Sequence, residues 1–161
     1  MITDLIARLI RRELRTLEEE VRLYREEADL WKTPPGIRNP GGNLALHMAG
    51  NLRHFIGARL GGTGYVRDRD AEFARKDVPR AEILAEIGRA AEEVQAALSR
   101  LDPASLSRDF PDEVAGRRVK TGDYLVHLCV HLGYHLGQIG YHRRMTTGSE
   151  ASANAVSPKL L

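Results

Sequence analysis

The stretch that decides the fold is HLCVHLGYHLGQIGYHRR, which runs from His127 to Arg144. If it is helical, at about 100° per residue, its histidines at positions 127, 131, 135 and 142 fall within roughly 80° of one face. An apolar stripe that includes Cys129 and Ile139 lies beside that face. Because no broad charged face appears before Arg143, the pattern predicts a helix buried on most sides, with its imidazoles turned toward an internal site.

The spacing of these histidines suits a metal ion. Two histidines four residues apart lie about 6 Å apart along a helix, so both can reach one ion at roughly 2.1 Å from each nitrogen. His127 and His135 are about 12 Å apart and cannot share it. The ion therefore takes either His127 with His131 or His131 with His135, and spacing leaves both pairs open. The alternative is a stack of buried histidines bonded to carbonyls and tyrosines, but the repeated HxxxH pattern favours a metal.

A further ligand is predicted on an earlier helix that runs from Leu44 to about Leu60, with Asn43 as its N-cap. His47 and His54 both lie on the flank of its apolar stripe. They are about 10 Å apart along the axis, so only one of them can share the ion. Spacing alone does not choose between them.

Four long helices with apolar stripes are predicted in all, and no convincing sheet. Their approximate bounds are 3–29, 44–60, 79–101 and 121–145. Residues 104–120 form a long connection between the third and fourth helices, with a short hairpin at 114–119, and the charged segment 65–77 reads as a loop. The pattern is typical of an all-α, up-down four-helix bundle, in which sites are built from inward-facing side chains.

Composition and charge exclude several classes of protein. A formal charge of +2 is too small to indicate nucleic-acid binding, and no arginine-rich block is interleaved with aromatic residues. No run approaches the roughly 20 apolar residues of a membrane span. Charged residues from Asp4 onward interrupt the apolar N-terminus, which argues against a signal peptide. We expect one domain over residues 1–148, followed by a flexible tail over residues 149–161.

Cys129 is the one cysteine of the chain, so no internal disulfide can form. This suits a reducing compartment, and the predicted location is the cytoplasm. On the helix, Cys129 lies about 160° around from His131 and His135. We therefore expect a thiol in the core rather than a ligand or a nucleophile.

The chain resembles the DinB-like (DinB/YfiT-like) superfamily, and within it a small subgroup. The resemblance rests on HLGYHLGQI, from His131 to Ile139, with GDYLVHLCV before it and NLALHMAGNLRHFIGARLGG earlier, and it spans about residues 5–148. It implies a four-helix bundle, often dimeric, that holds a divalent metal through one histidine of the second helix and two of the last. The ligands would be His47, His131 and His135.

The resemblance also implies a chemistry, since members include S-transferases that use bacillithiol or mycothiol and a mycothiol-dependent maleylpyruvate isomerase. We therefore expect a three-histidine site for Zn, Ni or Fe that transfers a low-molecular-weight thiol to a small-molecule substrate. A non-catalytic, stress-related metal-binding bundle and a metal-dependent hydrolase are the alternatives. The candidates for a proton acceptor are His127, His54 and Tyr124.

Two further expectations concern what surrounds the site. No carboxylate is predicted on either site-facing stripe, which argues against a two-metal carboxylate centre. A homodimer is expected from the resemblance, and a third side of the last helix carries Gly133, Gly137 and Gly140, where another backbone can approach closely.

Overall fold

The structure is a computed structural model that describes residues 2–155. The α-helices of this part are α1 (Ile2–Arg22), α2 (Gly41–Leu52), α3 (Arg69–Ala74), α4 (Arg80–Arg100) and α5 (Thr121–Thr147). A π-helix, Arg53–Ala58, continues α2, and 3₁₀ turns occupy Glu27–Trp31 and Pro103–Ser107. Apart from two isolated β-bridges, the regular structure of the described residues is helical, which confirms the all-α prediction.

The core lies between α1, α2, α4 and α5, because each of them turns an apolar stripe inward. On α1 the buried residues follow the spacing expected for a helix that covers a core: Ile6, Ile10, Leu14, Leu17 and Val21. Each such side chain stabilises the fold by about 1.5–3 kcal/mol when it is fully buried. The first helix was predicted to reach residue 29, but it ends at Arg22, and the chain then turns so that Tyr24 and Leu30 both enter the core.

The directions of the helices correct the predicted up-down order. The C-terminal ends of α1 and α5 meet where Arg143 Nε donates to Glu20 Oε2 over 2.5 Å. Earlier in both helices, Glu13 of α1 lies near Cys129 of α5. These two helices are therefore parallel. Likewise α2 and α4 are parallel, since a Cβ on Gly57 would contact Glu93 and the one on Gly61 would contact Ala97.

The relative direction of α2 and α5 completes the arrangement. At one end of α5, the ring of Tyr124 lies 5.1 Å from that of Phe55, and at the other end His142 lies beside Gly41, so α2 and α5 are antiparallel. The long helices thus run up, down, down, up along the chain. Parallel neighbours need a connection as long as the bundle, and residues 59–79 provide it between α2 and α4.

This crossover (residues 59–79) contains α3, where the sequence had predicted only a loop. It is fastened to α2 by Asn43, whose amide donates to the backbone oxygens of Glu72 and Arg75, both over 2.8 Å. The predicted N-cap role of Asn43 is therefore wrong, and α2 begins at Gly41, three residues before the predicted start at Leu44. A Cβ at Gly41 would overlap the hydroxyl of Tyr24, so this glycine allows close packing rather than a turn.

The connection after α4 is long, as predicted, and covers one end of the bundle. Val114 pairs with Arg117 at the position of the predicted hairpin, and Asp109 pairs with Lys120. Between them, Phe110 is buried and its ring lies 4.7 Å from that of Tyr124.

At the other end, the residues after α5 fold back onto the bundle. The side chain of Arg143 is fully buried and donates to the backbone oxygen of Ala151 over 2.5 Å as well as to Glu20. Residues 156–161 of the predicted flexible tail lie outside the described residues. None of the helices described here is long and apolar enough to cross a bilayer.

Candidate metal centre

Three histidines from two helices converge inside the bundle. His47 projects from α2, and His131 and His135 project from α5. The Nε2 atom of His131 lies 3.4 Å from Nε2 of His47 and 3.1 Å from Nε2 of His135. One ligand atom from each of the three residues lies within 4.8 Å of the others. We call these residues the histidine triad.

The neighbouring leucines explain why the triad forms. Leu128, Leu132 and Leu136 are buried in the core, and they fix the rotation of α5 about its axis. Because His131 and His135 are four residues apart, they then lie one above the other on the side that faces α2. The antiparallel course of α2 brings His47 to the same height, where it is 5% exposed.

Two polar contacts orient the outer nitrogens of the triad. His47 Nδ1 lies 2.9 Å from Glu72 Oε2, and an ionised carboxylate can only accept, so this nitrogen carries the proton. His135 Nδ1 donates to Gln138 Oε1 over 2.7 Å. A neutral imidazole protonated at Nδ1 has its lone pair at Nε2. Both rings therefore present lone pairs toward His131.

Glu72 lies in α3, within the crossover. An arginine binds its carboxylate, and a glycine of α2 leaves space for it. Arg67 binds both of its carboxylate oxygens, at 2.7 and 2.8 Å. A Cβ at Gly50 of α2 would overlap Glu72 Oε1, so only glycine lets the carboxylate lie this close to the helix. Burial pushes the pKa of Glu72 upward, but the hydrogen bonds from Arg67 and His47 outweigh it and hold that pKa below its usual range.

Two members of the triad, His131 and His135, are neutral at physiological pH. Burial, followed by the neighbouring imidazoles of His135 and His47, lowers the pKa of His131 to about 4. Burial also lowers the pKa of His135. Neutral imidazole is the form that binds metal ions.

The donor set and its geometry fit a divalent ion. Nitrogen ligands at about 2.1 Å from one tetrahedral ion lie about 3.4 Å from each other, close to the separations found in the triad. At most one proton, on His131 Nε2, can lie between these nitrogens, so at least one lone pair has no donor unless a cation is present. The three histidines can therefore hold a divalent metal. Within residues 2–155, no fourth histidine, cysteine, aspartate or glutamate joins them.

Of the two remaining histidine candidates, neither joins the triad. His54 lies in the π-helix that follows α2, with Nε2 4.0 Å from a carboxylate oxygen of Asp112 and with a buried Nδ1 that has no hydrogen-bond partner among the described residues. Burial, and then Arg67, lower its pKa. The ring of His127 stacks 6.2 Å from that of His131 and is exposed.

Tyr124, the third candidate for a proton acceptor, is buried among aromatic rings. Burial raises the pKa of its hydroxyl to about 12, so it stays protonated at neutral pH. Its ring stacks on His127 at 5.7 Å. The structure thus places it beside the site as a phenol rather than as a base.

His142, the last histidine on this face of α5, makes two hydrogen bonds within the fold. His142 accepts from the Tyr24 hydroxyl at Nδ1 over 2.6 Å and donates from Nε2 to the backbone oxygen of Lys32 over 2.8 Å. Cys129, predicted to be a core thiol, is only partly buried and packs against the edge of the core. Burial, and then Glu13, raise the pKa of its thiol to about 11, so it is not a thiolate.

Sequence reasoning missed Glu72 and Arg67, which lie in a segment that was predicted to be solvated loop. One signal was available, since a glycine inside a helix costs about 1 kcal/mol relative to alanine and so needs a packing reason. Gly50 has such a reason, because the glutamate lies against it. The sequence predicted no carboxylate on the two site-facing stripes, and the carboxylate that contacts His47 comes instead from the crossover.

Comparison with known proteins agrees with this architecture. The model of the DinB superfamily matches residues 8–139, which is most of the chain and includes the whole triad. No curated protein and no solved structure gives a significant match. On the strength of the family model, the chain belongs to the DinB superfamily.

Proposed function

We propose that His47, His131 and His135 bind one divalent metal ion, Zn, Ni or Fe, and that the protein is an S-transferase. In this reaction a low-molecular-weight thiol of the bacillithiol or mycothiol type adds to a small electrophile. The observation that carries the proposal is the convergence of three imidazoles, two of which are oriented through Nδ1. The proposal places the protein in the cytoplasm, where such thiols are kept reduced.

The number of ligands favours catalysis over a purely structural ion. Structural zinc sites are closed by four protein ligands, whereas catalytic sites have three and leave a position open. The triad has three ligands in the described part of the chain, and Glu72 is engaged with Nδ1 of His47, on the outer side of that ring. An ion in such a site lowers the pKa of a thiol or water bound to it, which provides a nucleophile at neutral pH.

The residues of the chain have separable tasks in this proposal. Glu72 and Gln138 hold two imidazoles in the orientation that binds the ion. The exposed ring of His127, stacked next to His131, accepts the proton that the thiol loses and passes it to solvent. The thiol sulfur then forms a bond to the electrophilic carbon, and the leaving group departs with the electron pair of the broken bond.

The test begins with protein purified without a histidine tag. Its metal content is measured by elemental analysis, and it is then assayed with monochlorobimane and a panel of thiols after loading with zinc, nickel, iron or cobalt. We expect thiol conjugation that requires the metal and disappears in His131→Ala. If the protein binds metal in stoichiometric amount but turns over no thiol, the transferase proposal is overturned and the non-catalytic metal-binding bundle is favoured. If it instead releases products from ester or amide substrates, the metal-dependent hydrolase is favoured.

The proposal includes a homodimer formed through α5. Val126, Val130 and Gly137 lie on an exposed side of this helix, and Val130 is 66% exposed. A Cβ at Gly133 or Gly137 would meet no atom of residues 2–155 within 4 Å, so a second helix can approach closely there, whereas Gly140 packs against Glu20 within the chain. Apolar side chains on a helix without a neighbour favour association.

Light scattering tests the dimer. At micromolar concentration the wild type should have twice the mass of the chain, and Val130→Glu should have the mass of a monomer because it places a charge in the contact. Val66→Glu is the matched control, since Val66 is an exposed valine of the crossover, away from α5. A monomeric wild type would contradict the dimer without affecting the metal site.

A further inference from the structure

Two cavities adjoin beside the histidine triad. One, of about 510 Å³, lies between α3 and the segment before α2, and the other, of about 440 Å³, lies between that segment and α5. Arg38 and Asn39 line both of them, so together they form one groove. Each volume falls in the range of small-molecule sites, roughly 300–1,000 Å³.

The groove runs past two members of the triad. His135 itself lines the second cavity. Phe73 lines the first, and its ring lies 4.8 Å from the ring of His47. A small molecule in the groove would therefore lie beside the centre where the ion is proposed to bind.

The charges along the groove are not balanced. Arg38 and Arg69 line it, and neither makes an ion pair or a hydrogen bond with another described residue, in contrast to the arginines at 53, 59, 67 and 75. The acidic residue among the lining side chains is Asp70, which leaves two guanidinium groups against one carboxylate. Guanidinium groups without a partner bind carboxylates through two parallel hydrogen bonds.

The opposite wall of the groove is apolar. Tyr134, Tyr141 and Met145 line the second cavity from α5, and all three are largely exposed, with Tyr141 at 72%. Leu44 closes the same cavity from α2. Such a groove accepts a molecule with an acid at one end and an apolar body at the other.

We infer that the groove binds a small organic carboxylate, and that Arg38 and Arg69 hold its acid group while its body lies against α5. This inference rests on the proposed function and narrows it. The thiol of the reaction carries a carboxylate, and the groove selects it over a neutral thiol of the same size.

A matched pair of thiols tests the selection. N-acetylcysteine and N-acetylcysteamine differ by one carboxylate, and their binding to zinc-loaded protein is measured by calorimetry. We expect N-acetylcysteine to bind at least about tenfold more tightly, as a charge-assisted, bidentate contact allows. Equal affinities for the two thiols would overturn the inference.

Substitutions locate the selection in the groove. Arg38→Gln and Arg69→Gln should each bring the ratio of the two affinities close to one. Arg75→Gln, an exposed arginine of the same crossover that pairs with Glu82 outside the groove, should leave the ratio unchanged. Asp70→Asn should raise the affinity for N-acetylcysteine two- to threefold, because it removes the opposing charge. If both groove variants keep the wild-type ratio of the two thiol affinities, the inference is also overturned.

A third probe separates failure of the inference from failure of the proposed function. N-acetylalanine has the carboxylate but no sulfur. Suppose that neither thiol binds more tightly than N-acetylalanine, and that Arg38→Gln abolishes the binding of N-acetylalanine. The groove is then a carboxylate site, but the proposed thiol chemistry is contradicted. If none of the three molecules binds, the groove is not a carboxylate site.

Discussion

Two regions of very different character, α5 and the crossover of residues 59–79, flank His47 of α2 in the candidate metal centre. Helix α5 supplies two histidines from consecutive turns, and its own leucines set their direction. The crossover supplies no ligand, yet it brings Glu72 against the outer nitrogen of His47. A helix with a regular apolar pattern can therefore specify candidate ligands by itself. The groups that orient those ligands depend instead on how the chain connects the helices.

The largest expected effect falls on α5. Replacing His131 with alanine removes the central ligand of the triad, so affinity for a divalent ion should fall at least about 100-fold. Elemental analysis after gel filtration should find the wild type loaded and the variant empty. His127→Ala is the matched control because it removes an imidazole from the same face one turn earlier, and it should retain the metal. Equal metal content in all three proteins would contradict the role of the triad.

A smaller effect is expected from the crossover. Glu72→Gln leaves an acceptor for His47 but removes the charge, so metal affinity should drop about 10-fold, at the lower end of what such supporting groups contribute. Competition with a chromophoric chelator measures the change. Glu86→Gln provides the control, since it removes a carboxylate that also pairs with an arginine, Arg53, away from the triad. If both variants bind metal like the wild type, the crossover merely covers the site.

Asn43 tests whether the crossover is fastened in the way that the contacts indicate. Its amide serves two backbone oxygens near the end of α3, which have no partner in the helix. Asn43→Ala should lower the free energy of unfolding by about 1–3 kcal/mol, measured by urea denaturation. It should also weaken metal binding, because Glu72 is then free to move. A loss of stability with unchanged metal affinity would show that the two functions of the crossover are independent.

The smallest effect concerns pH and the structural end of α5. Burial lowers the pKa of His142 below its ordinary value of about 6.5, so below that pH the unfolded chain binds a proton that the folded chain does not. Stability should therefore fall as the pH decreases from 6.5 toward the folded pKa. His142→Gln should show a shallower decrease in its urea midpoint between pH 7 and pH 5 than the wild type. A slope for His142→Gln equal to or steeper than that of the wild type would contradict this assignment.

The same contrast explains how far the sequence could be interpreted. Helix α5 was predicted nearly to its ends because an apolar stripe and histidines at four-residue spacing report on one helix alone. That His47, His131 and His135 lie together was expected from the family resemblance, whereas spacing had left His54 and His127 as alternatives. The structure brings those three together and leaves the other two outside.

What could not be predicted depends on the path of the chain. A plain up-down bundle was predicted from the four apolar stripes, which indicate that the helices pack together but not in which direction each one runs. Instead α2 and α4 are parallel, and the connection between them must return along the bundle and so passes over His47. The charged segment 65–77 has little apolar periodicity, and its role appears only when Arg67, Glu72 and Gly50 are seen together.

The most direct test of the central claim is a crystal structure of zinc-loaded protein with anomalous data collected on both sides of the zinc edge. The account predicts one zinc ion per chain, bound at about 2.1 Å by Nε2 of His47, His131 and His135, with Glu72 still on Nδ1 of His47. An anomalous peak elsewhere, or none at the triad, would contradict it.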